Sequence, residues 1–197
     1  LELRQGKIAH GGRVLTVAEV ISGHFGLVGG EVAGVGTYVP SDWGATYFWE
    51  PGMGGAEVEV DRETGQVKVK KYISAADVGQ AVNPRECEAQ DEGAAMLAIG
   101  PALFEARVME GGQLLNPSLV DYRLPTFAEL PREFGSILIE NGDGPGPFGA
   151  KGIGESGTFC VAAAIGNALA RAVGIRVKEL PLTPERVWRA LRERARS

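Results

Sequence analysis
The stretch Ala56-Glu57-Val58-Glu59-Val60-Asp61, then Arg62-Glu63-Thr64-Gly65, then Gln66-Val67-Lys68-Val69-Lys70-Lys71-Tyr72-Ile73 sets the fold. Apolar and charged residues alternate on both sides of a four-residue turn. A period of two puts the valines of each run on one face, and Gly65 can supply the positive φ that a tight turn needs. The expectation is an antiparallel hairpin, half buried, with its second strand running on through Ser74-Ala75-Ala76-Asp77-Val78-Gly79. Asn83-Pro84 then opens a helix, with Asn83 as the cap and Pro84 at the first position, where a missing N–H costs nothing. That helix should run to about Arg107, with Pro101 kinking or ending it near Gly100.

Upstream, a hairpin is expected at Gly11-Gly12. Thr16-Val17-Ala18-Glu19 forms a capping box ahead of a helix of about ten residues. Residues 26–36 read as turn and strand. Residues 37–55 hold Tyr38, Trp43, Tyr47, Phe48 and Trp49 with little periodicity, a loop that must lay its rings on a core or on a neighbouring surface. Downstream, the expectations are a hairpin at Gly111-Gly112, an extended segment over 121–126 and a strand over 136–140. A strand near 175–177 and a helix opened by Thr183-Pro184-Glu185 complete the chain. Strands and helices alternate in an α+β, mixed α/β, arrangement. Residues 1–197 read as a single domain or domain fragment, with 1–55 as its N-terminal segment carrying the aromatic loop 37–55.

The chemistry falls in Gly146-Pro147-Phe148-Gly149-Ala150-Lys151-Gly152-Ile153-Gly154-Glu155-Ser156-Gly157-Thr158. Five glycines let this backbone lie close to another surface. The alanine-rich run that follows is expected to be a helix capped by Ser156 or Thr158, so the loop would feed a helix N-terminus able to face an anion. Glu155 is the loop's only acid and Lys151 its only base. On spacing alone, Glu155 is either a proton acceptor tuned by burial or an ordinary first-turn acid favoured by the helix dipole.

Composition narrows the function. With 197 residues, 44% of them apolar, the chain can build a core, and its net charge of −5 is interspersed, so neither a nucleic-acid footprint nor a polybasic membrane signal is present. The basic run at 186–196 alternates with acids and reads as a solvated helix face. Cys87 and Cys160 are far apart and lack metal-ligand spacing, and His10 and His24 have no spaced partners, so no metal is expected on protein ligands and a reducing, cytoplasmic setting is the default. No apolar run is expected to reach the about 18 residues of a membrane span. The chain begins with Leu1, which suggests a piece of something longer.

Taken together, Val58 to Asp61 with Gly65 and Asp77-Val78-Gly79, Asn83-Pro84 with Gln90, and Gly149 to Glu155 with Asn167-Ala168 resemble the molybdenum hydroxylases. These are the xanthine dehydrogenases, aldehyde oxidoreductases and aerobic carbon monoxide dehydrogenases. The resemblance runs from about residue 57 to 189 and implies the C-terminal part of the molybdopterin-binding large subunit. It implies that Glu155 is the base acting on a molybdenum-bound hydroxide during oxidative hydroxylation of an aldehyde, purine or N-heterocycle. It further implies that Gln90 hydrogen-bonds the cofactor, that Lys151, Gly152, Ile153 and Gly154 wrap the pterin, that Asn83 contributes, and that Phe148 faces substrate.

The implied cofactor is molybdenum-molybdopterin in its cytosine dinucleotide form. Iron–sulfur clusters and FAD would sit on partner chains or domains, and none is expected in the isolated chain, which should be inactive. The implied partners are the rest of the large chain, an iron–sulfur subunit and an FAD subunit. Ala89, Leu97, Ala98 and Pro101 depart from the family's usual residues. The alternatives are a carbon monoxide dehydrogenase part, or a non-catalytic domain used in assembly.

Overall fold
The computed structural model of the chain describes residues 2–26, 30–31, 33–39 and 49–196. These form two compact units, Leu1–Val39 and Pro40–Ser197.

In the first unit, β1 (Glu2–Arg4), β2 (Lys7–His10) and β3 (Arg13–Thr16) make an antiparallel sheet in that order, followed by α1 (Val17–Phe25). The Gly11-Gly12 turn joins β2 to β3, and both residues have positive φ. A second turn at Gln5-Gly6, not anticipated from the sequence, joins β1 to β2 in the same way. The capping box forms as expected: the Glu19 N–H donates to Thr16 Oγ1 at 3.1 Å, and the Thr16 N–H donates to Glu19 Oε2 at 2.7 Å. The strand expected within 26–36 is absent among the described residues, because glycines weaken a ladder and give it nothing to pack. Of the expected aromatic loop, Trp43, Tyr47 and Phe48 lie outside the described residues, while Tyr38 and Trp49 are exposed.

The second unit is built on the hairpin. β4 (Gly52–Val60) pairs antiparallel with β5 (Val67–Gly79), and β5 pairs parallel with β8 (Glu133–Glu140). The turn is held by Asp61, whose Oδ1 accepts the N–H groups of Glu63 at 2.8 Å and Thr64 at 3.2 Å. Gly65 has φ 79°, and a Cβ there would also strike the backbone of Pro184 and Trp188, so a side chain is excluded twice over. Strict alternation is interrupted by a bulge between Glu57 and Val58, which leaves Lys70 unpaired in the register. β4 starts four residues earlier than its alternation suggests. Gly54 there has no room for a side chain, because the Tyr72 hydroxyl and Cys160 crowd the position of its missing Cβ.

α2 (Pro84–Leu103) and α3 (Val161–Val173) bury Ala95, Ile99, Ala102, Val161, Ile165 and Leu169 in one cluster with Val69 and Tyr72 of β5. Asn83 caps α2 as expected, through Oδ1 and the Glu86 N–H at 3.4 Å. Pro101 does not stop the helix, which ends at Leu103. One lost hydrogen bond is tolerated so near the C-terminus, where Ala102 and Leu103 are buried. Short strands β6 (Met109–Glu110) and β7 (Gln113–Leu114) form the expected Gly111-Gly112 hairpin, with positive φ at both turn residues. The segment 121–126 begins as a turn rather than fully extended, with the Tyr122 hydroxyl donating to Glu105 at 2.6 Å.

Residues 175–177 form no strand. Ile175 is instead buried in the core beyond the left-handed Gly174 that ends α3. α4 (Pro184–Arg194) opens on Thr183 as expected, but its basic face is only partly solvated. Arg186 donates to the Pro181 carbonyl at 3.0 Å, and Arg194 donates to the Val173 carbonyl at the C-terminus of α3. Ser156–Val173 has the length and composition of a membrane span, contrary to the sequence expectation. In the fold it is a short turn followed by α3, whose Val161, Ile165 and Leu169 are core residues. Cys87 and Cys160 are half-buried free thiols, both pushed up in pKa by burial.

Candidate functional site
The glycine loop spans the region between β8 and α3. Its first half closes on itself: the Gly144 N–H donates to the Gly149 carbonyl at 2.9 Å, and the Gly146 N–H to the Ala150 carbonyl at 2.9 Å. The loop is then anchored to the end of β5, where the Lys151 N–H donates to the Val78 carbonyl at 3.0 Å. Ile153 packs with Ala76, Val78, Ala81, Cys87 and Leu138. Strand end and helix start therefore supply a fixed floor for residues 151–154.

Lys151 is part of that floor. Its side chain is 4% exposed, and the ammonium bonds Asp77 at 2.8 Å and Asp143 at 2.6 Å. Asp143 and Asp77 raise the Lys151 pKa in return. Asp77 is held below the usual carboxylate range, first by Lys151 and then by the Gly79 N–H, with Asn141 donating as well. The charge of Lys151 is thus neutralised within the chain.

Gly152 and Gly154 differ from their neighbours. Neither has positive φ, and a Cβ at either would meet nothing within 4 Å. No contact among the described residues calls for glycine there. Gly157 is the opposite case, since a Cβ would lie 2.6 Å from Asp91 Oδ1 and 2.9 Å from the Asp91 carbonyl oxygen. The expected helix start at Ser156 or Thr158 is not found. A 3-10 turn, Ser156–Thr158, comes first and α3 begins at Val161, with Cys160 at its cap and no side-chain capping bond. Gly157 is a poor helix former, and its close seat on Asp91 fixes the chain in the tighter turn. Glu155 is therefore the residue heading this turn, not a first-turn acid of α3.

The turn packs on α2 at Asp91 and Ala94, directly after Gln90. Asp91 is 0% exposed and accepts from Ser74 Oγ at 3.0 Å and Ser136 Oγ at 2.7 Å. Gln90 precedes Asp91 and Glu155 lies two residues before Gly157, the pair that meet here, and both Gln90 and Glu155 are exposed. Residues 90, 93, 97 and 101 share the exposed side of α2, so the departures Leu97 and Pro101 fall on the same stripe as Gln90. The burial expected around Glu155 is not supplied by this chain. Asn83 lies two turns of α2 before Gln90, with its side-chain oxygen committed to the cap. Phe148 lies at the other end of the loop. It has φ 60° and an 83% exposed side chain, so a strained backbone carries a bare ring.

Sequence reasoning missed the polar groups under this site: the hold of Asp77 and Asp143 on Lys151, the buried Asp91, the inward turn of Ser156, and Glu50. The helical phase of α2 does hold a signal for Asp91, an acid on the same face as Ala94, Ala95 and Ile99. Burial pushes Glu50 above the usual carboxylate range, and it pushes the Tyr72 phenol, whose buried hydroxyl has no partner among the described residues, up to about 12.

Comparison with known proteins gives this geometry a context. A family model described as a molybdopterin cofactor-binding domain matches residues 1–131. The chain is 34% identical over 191 residues to the probable hypoxanthine oxidase of Escherichia coli K12, covering 96% of this chain and 18% of that protein. Among solved structures, the aldehyde oxidoreductase of Desulfovibrio gigas superposes with a TM-score of 0.63 at 34% identity, over 70% of this chain and 15% of that one. The quinoline 2-oxidoreductase of Pseudomonas putida 86 superposes with a TM-score of 0.62 at 31% identity, over 69% of this chain and 18% of that one. The chain thus spans less than a fifth of the length of each of these proteins. With its mixed α+β fold and its glycine loop seated on α2, the chain belongs to the molybdopterin-binding domain family of the molybdenum hydroxylases.

Proposed function
We propose that this chain supplies one wall of the molybdopterin site in an oxidoreductase that hydroxylates an aldehyde, purine or N-heterocycle, with Glu155 as its general base. The observation that supports this reading is the seating of the Glu155 turn on α2 at Asp91, the residue after Gln90, with Gln90 and Glu155 both exposed. Bare Gly152 and Gly154 beside them fit a backbone made for close approach by a flat group from outside the chain.

The residues present fit such a group on one side only. Gln90 offers a side-chain amide and 152–154 offer backbone, while Lys151 is committed to Asp77 and Asp143. The cofactor, when bound, supplies the redox-active metal that takes up the substrate's electrons. Glu155 accepts a proton at its carboxylate, and a site closed over it by further chain excludes water and gives that carboxylate the burial it lacks here. Phe148 offers a ring to substrate. The cytosine dinucleotide form of the cofactor, iron–sulfur and FAD partners, the remainder of the large chain, a cytoplasmic setting and inactivity of the isolated chain belong to the same proposal.

The test is Glu155→Gln in the whole enzyme. Turnover should fall by about 10²–10⁴ while molybdenum and pterin content are unchanged. Undiminished turnover would overturn the catalytic reading and leave a domain used for assembly.

A further inference from the structure
The turn that Glu155 heads is three residues long and has little to hold it. Locally it has the Thr158 N–H on the Glu155 carbonyl at 3.0 Å and the Thr158 hydroxyl on the same oxygen at 2.7 Å. Beneath it, Gly157 rests on Asp91, which Ser74 and Ser136 fix in place. Ser156, between Glu155 and Gly157, turns inward and is 5% exposed.

Its hydroxyl is buried without a completed hydrogen bond, and so is Oε1 of Glu50. These two orphans are neighbours: Gly52, two residues after Glu50, accepts from Cys160 Sγ at 3.5 Å and lies against the ring of Phe159, the residue that follows the Ser156 turn, and the Ser156 hydroxyl draws the Glu50 pKa down against the larger effect of burial. One is a donor and the other an acceptor. A hydrogen bond between them removes both desolvation penalties at once, and nothing else among the described residues offers either atom a partner.

We propose that Glu50 is a positioning residue for Glu155: its carboxyl takes the Ser156 hydroxyl as a hydrogen-bond donor and, with Asp91 under Gly157, fixes the turn from which Glu155 projects. The inference rests on the reading of Glu155 as the base for its catalytic consequence, but not for the contact itself. Glu50 touches no reacting group. The charged groups that act on it electrostatically are Asp91 on α2, Asp77 on β5 and Lys151 in the loop.

Amide hydrogen exchange of the 197-residue chain reads the contact directly through the Thr158 N–H. Ser156→Ala and Glu50→Met should each speed exchange at Thr158 by about tenfold while amides in the middle of α3 keep the parent rate. Glu50→Gln, which keeps an acceptor but no charge, should restore the parent behaviour. The double variant with Ser156→Ala and Glu50→Met should be no worse than either single one, as two ends of one bond require.

Unchanged exchange in Glu50→Met would overturn the proposal. So would a Gln variant as poor as Met, or equal acceleration throughout α3, which would mark general loosening. In the whole enzyme, the Ala and Met variants should lose about tenfold in kcat at unchanged KM and molybdenum content, with the Gln variant near the parent. Should Glu155→Gln keep turnover while Thr158 exchange still responds to Glu50, the base assignment fails and the contact stands.

Discussion
Three glycines in one loop give a sharp test, because the same added methyl meets different surroundings at each. At Gly157 an alanine Cβ would sit 2.6 Å from Asp91 Oδ1, 2.9 Å from the Asp91 carbonyl oxygen and 3.1 Å from Ala94 Cβ. Ordinary contact needs about 3.5 Å or more, so the turn must back away from α2 by several tenths of an ångström. Asp91 cannot yield easily, since it is buried and tied to Ser74 and Ser136. Overpacking of this kind costs about 1–3 kcal/mol, which in a chain of this size lowers the melting midpoint by roughly 2–12 °C. At Gly152 and Gly154 the space is open and φ is ordinary. Alanine there should change stability by no more than about 0.5 kcal/mol, or raise it slightly by restricting the unfolded chain. Urea and thermal unfolding of the three variants, followed by circular dichroism, measures the contrast. A neutral Gly157→Ala, or a Gly154→Ala as damaging, would refute the packing argument. In the whole enzyme the order should reverse for cofactor content, with Gly152→Ala and Gly154→Ala losing molybdopterin despite their intact stability.

Further outcomes follow from the buried polar groups. Lys151→Met removes the cation shared by Asp77 and Asp143. The Asp77 contribution, from a lowered pKa, is complete above the ordinary aspartate range and drains as pH falls through the lowered value; the Lys151 contribution, from a raised pKa, is complete below the ordinary lysine range and is lost as pH rises through the raised one. The stability gap between parent and variant should therefore be widest near neutral pH and narrow toward either extreme, which a pH series of urea midpoints checks. Asp91→Ala leaves the buried Ser74 hydroxyl and the half-buried Ser136 hydroxyl without their acceptor and should cost about 2–4 kcal/mol, whereas Asp91→Asn, still an acceptor, should cost less. Phe148→Gly relieves a left-handed backbone while giving up little buried area. It should stabilise the chain by about 0.5–1 kcal/mol in the same assay, yet raise KM in the whole enzyme if the ring meets substrate.

Much of the frame was readable from residues close in sequence. The hairpin of β4 and β5 follows from valine alternation and Gly65, and the starts of α1, α2 and α4 follow from Thr16, Asn83-Pro84 and Thr183-Pro184. These are local effects: side-chain oxygens meet N–H groups two or three residues on, and φ at a turn depends on one residue's Cβ. The residues that resemble the family were legible for the same reason, since their spacing is carried along the chain.

Tertiary structure decided the rest. Gly174 is followed by irregular chain, not the expected strand, with Ile175 buried in the core cluster beside Val173 and Leu182. Pro101 stays inside α2 because the residues after it are needed in that core. Ser156 turns inward and the turn stays 3-10 because Asp91, some sixty positions away, leaves no room above Gly157. Lys151 becomes a structural cation through acids from β5 and from the loop's far side. Alternation, caps and turns fix what a residue can do with its neighbours. Which buried donor finds which acceptor, and which glycine lies under a partner, depends on segments that meet only when the chain closes.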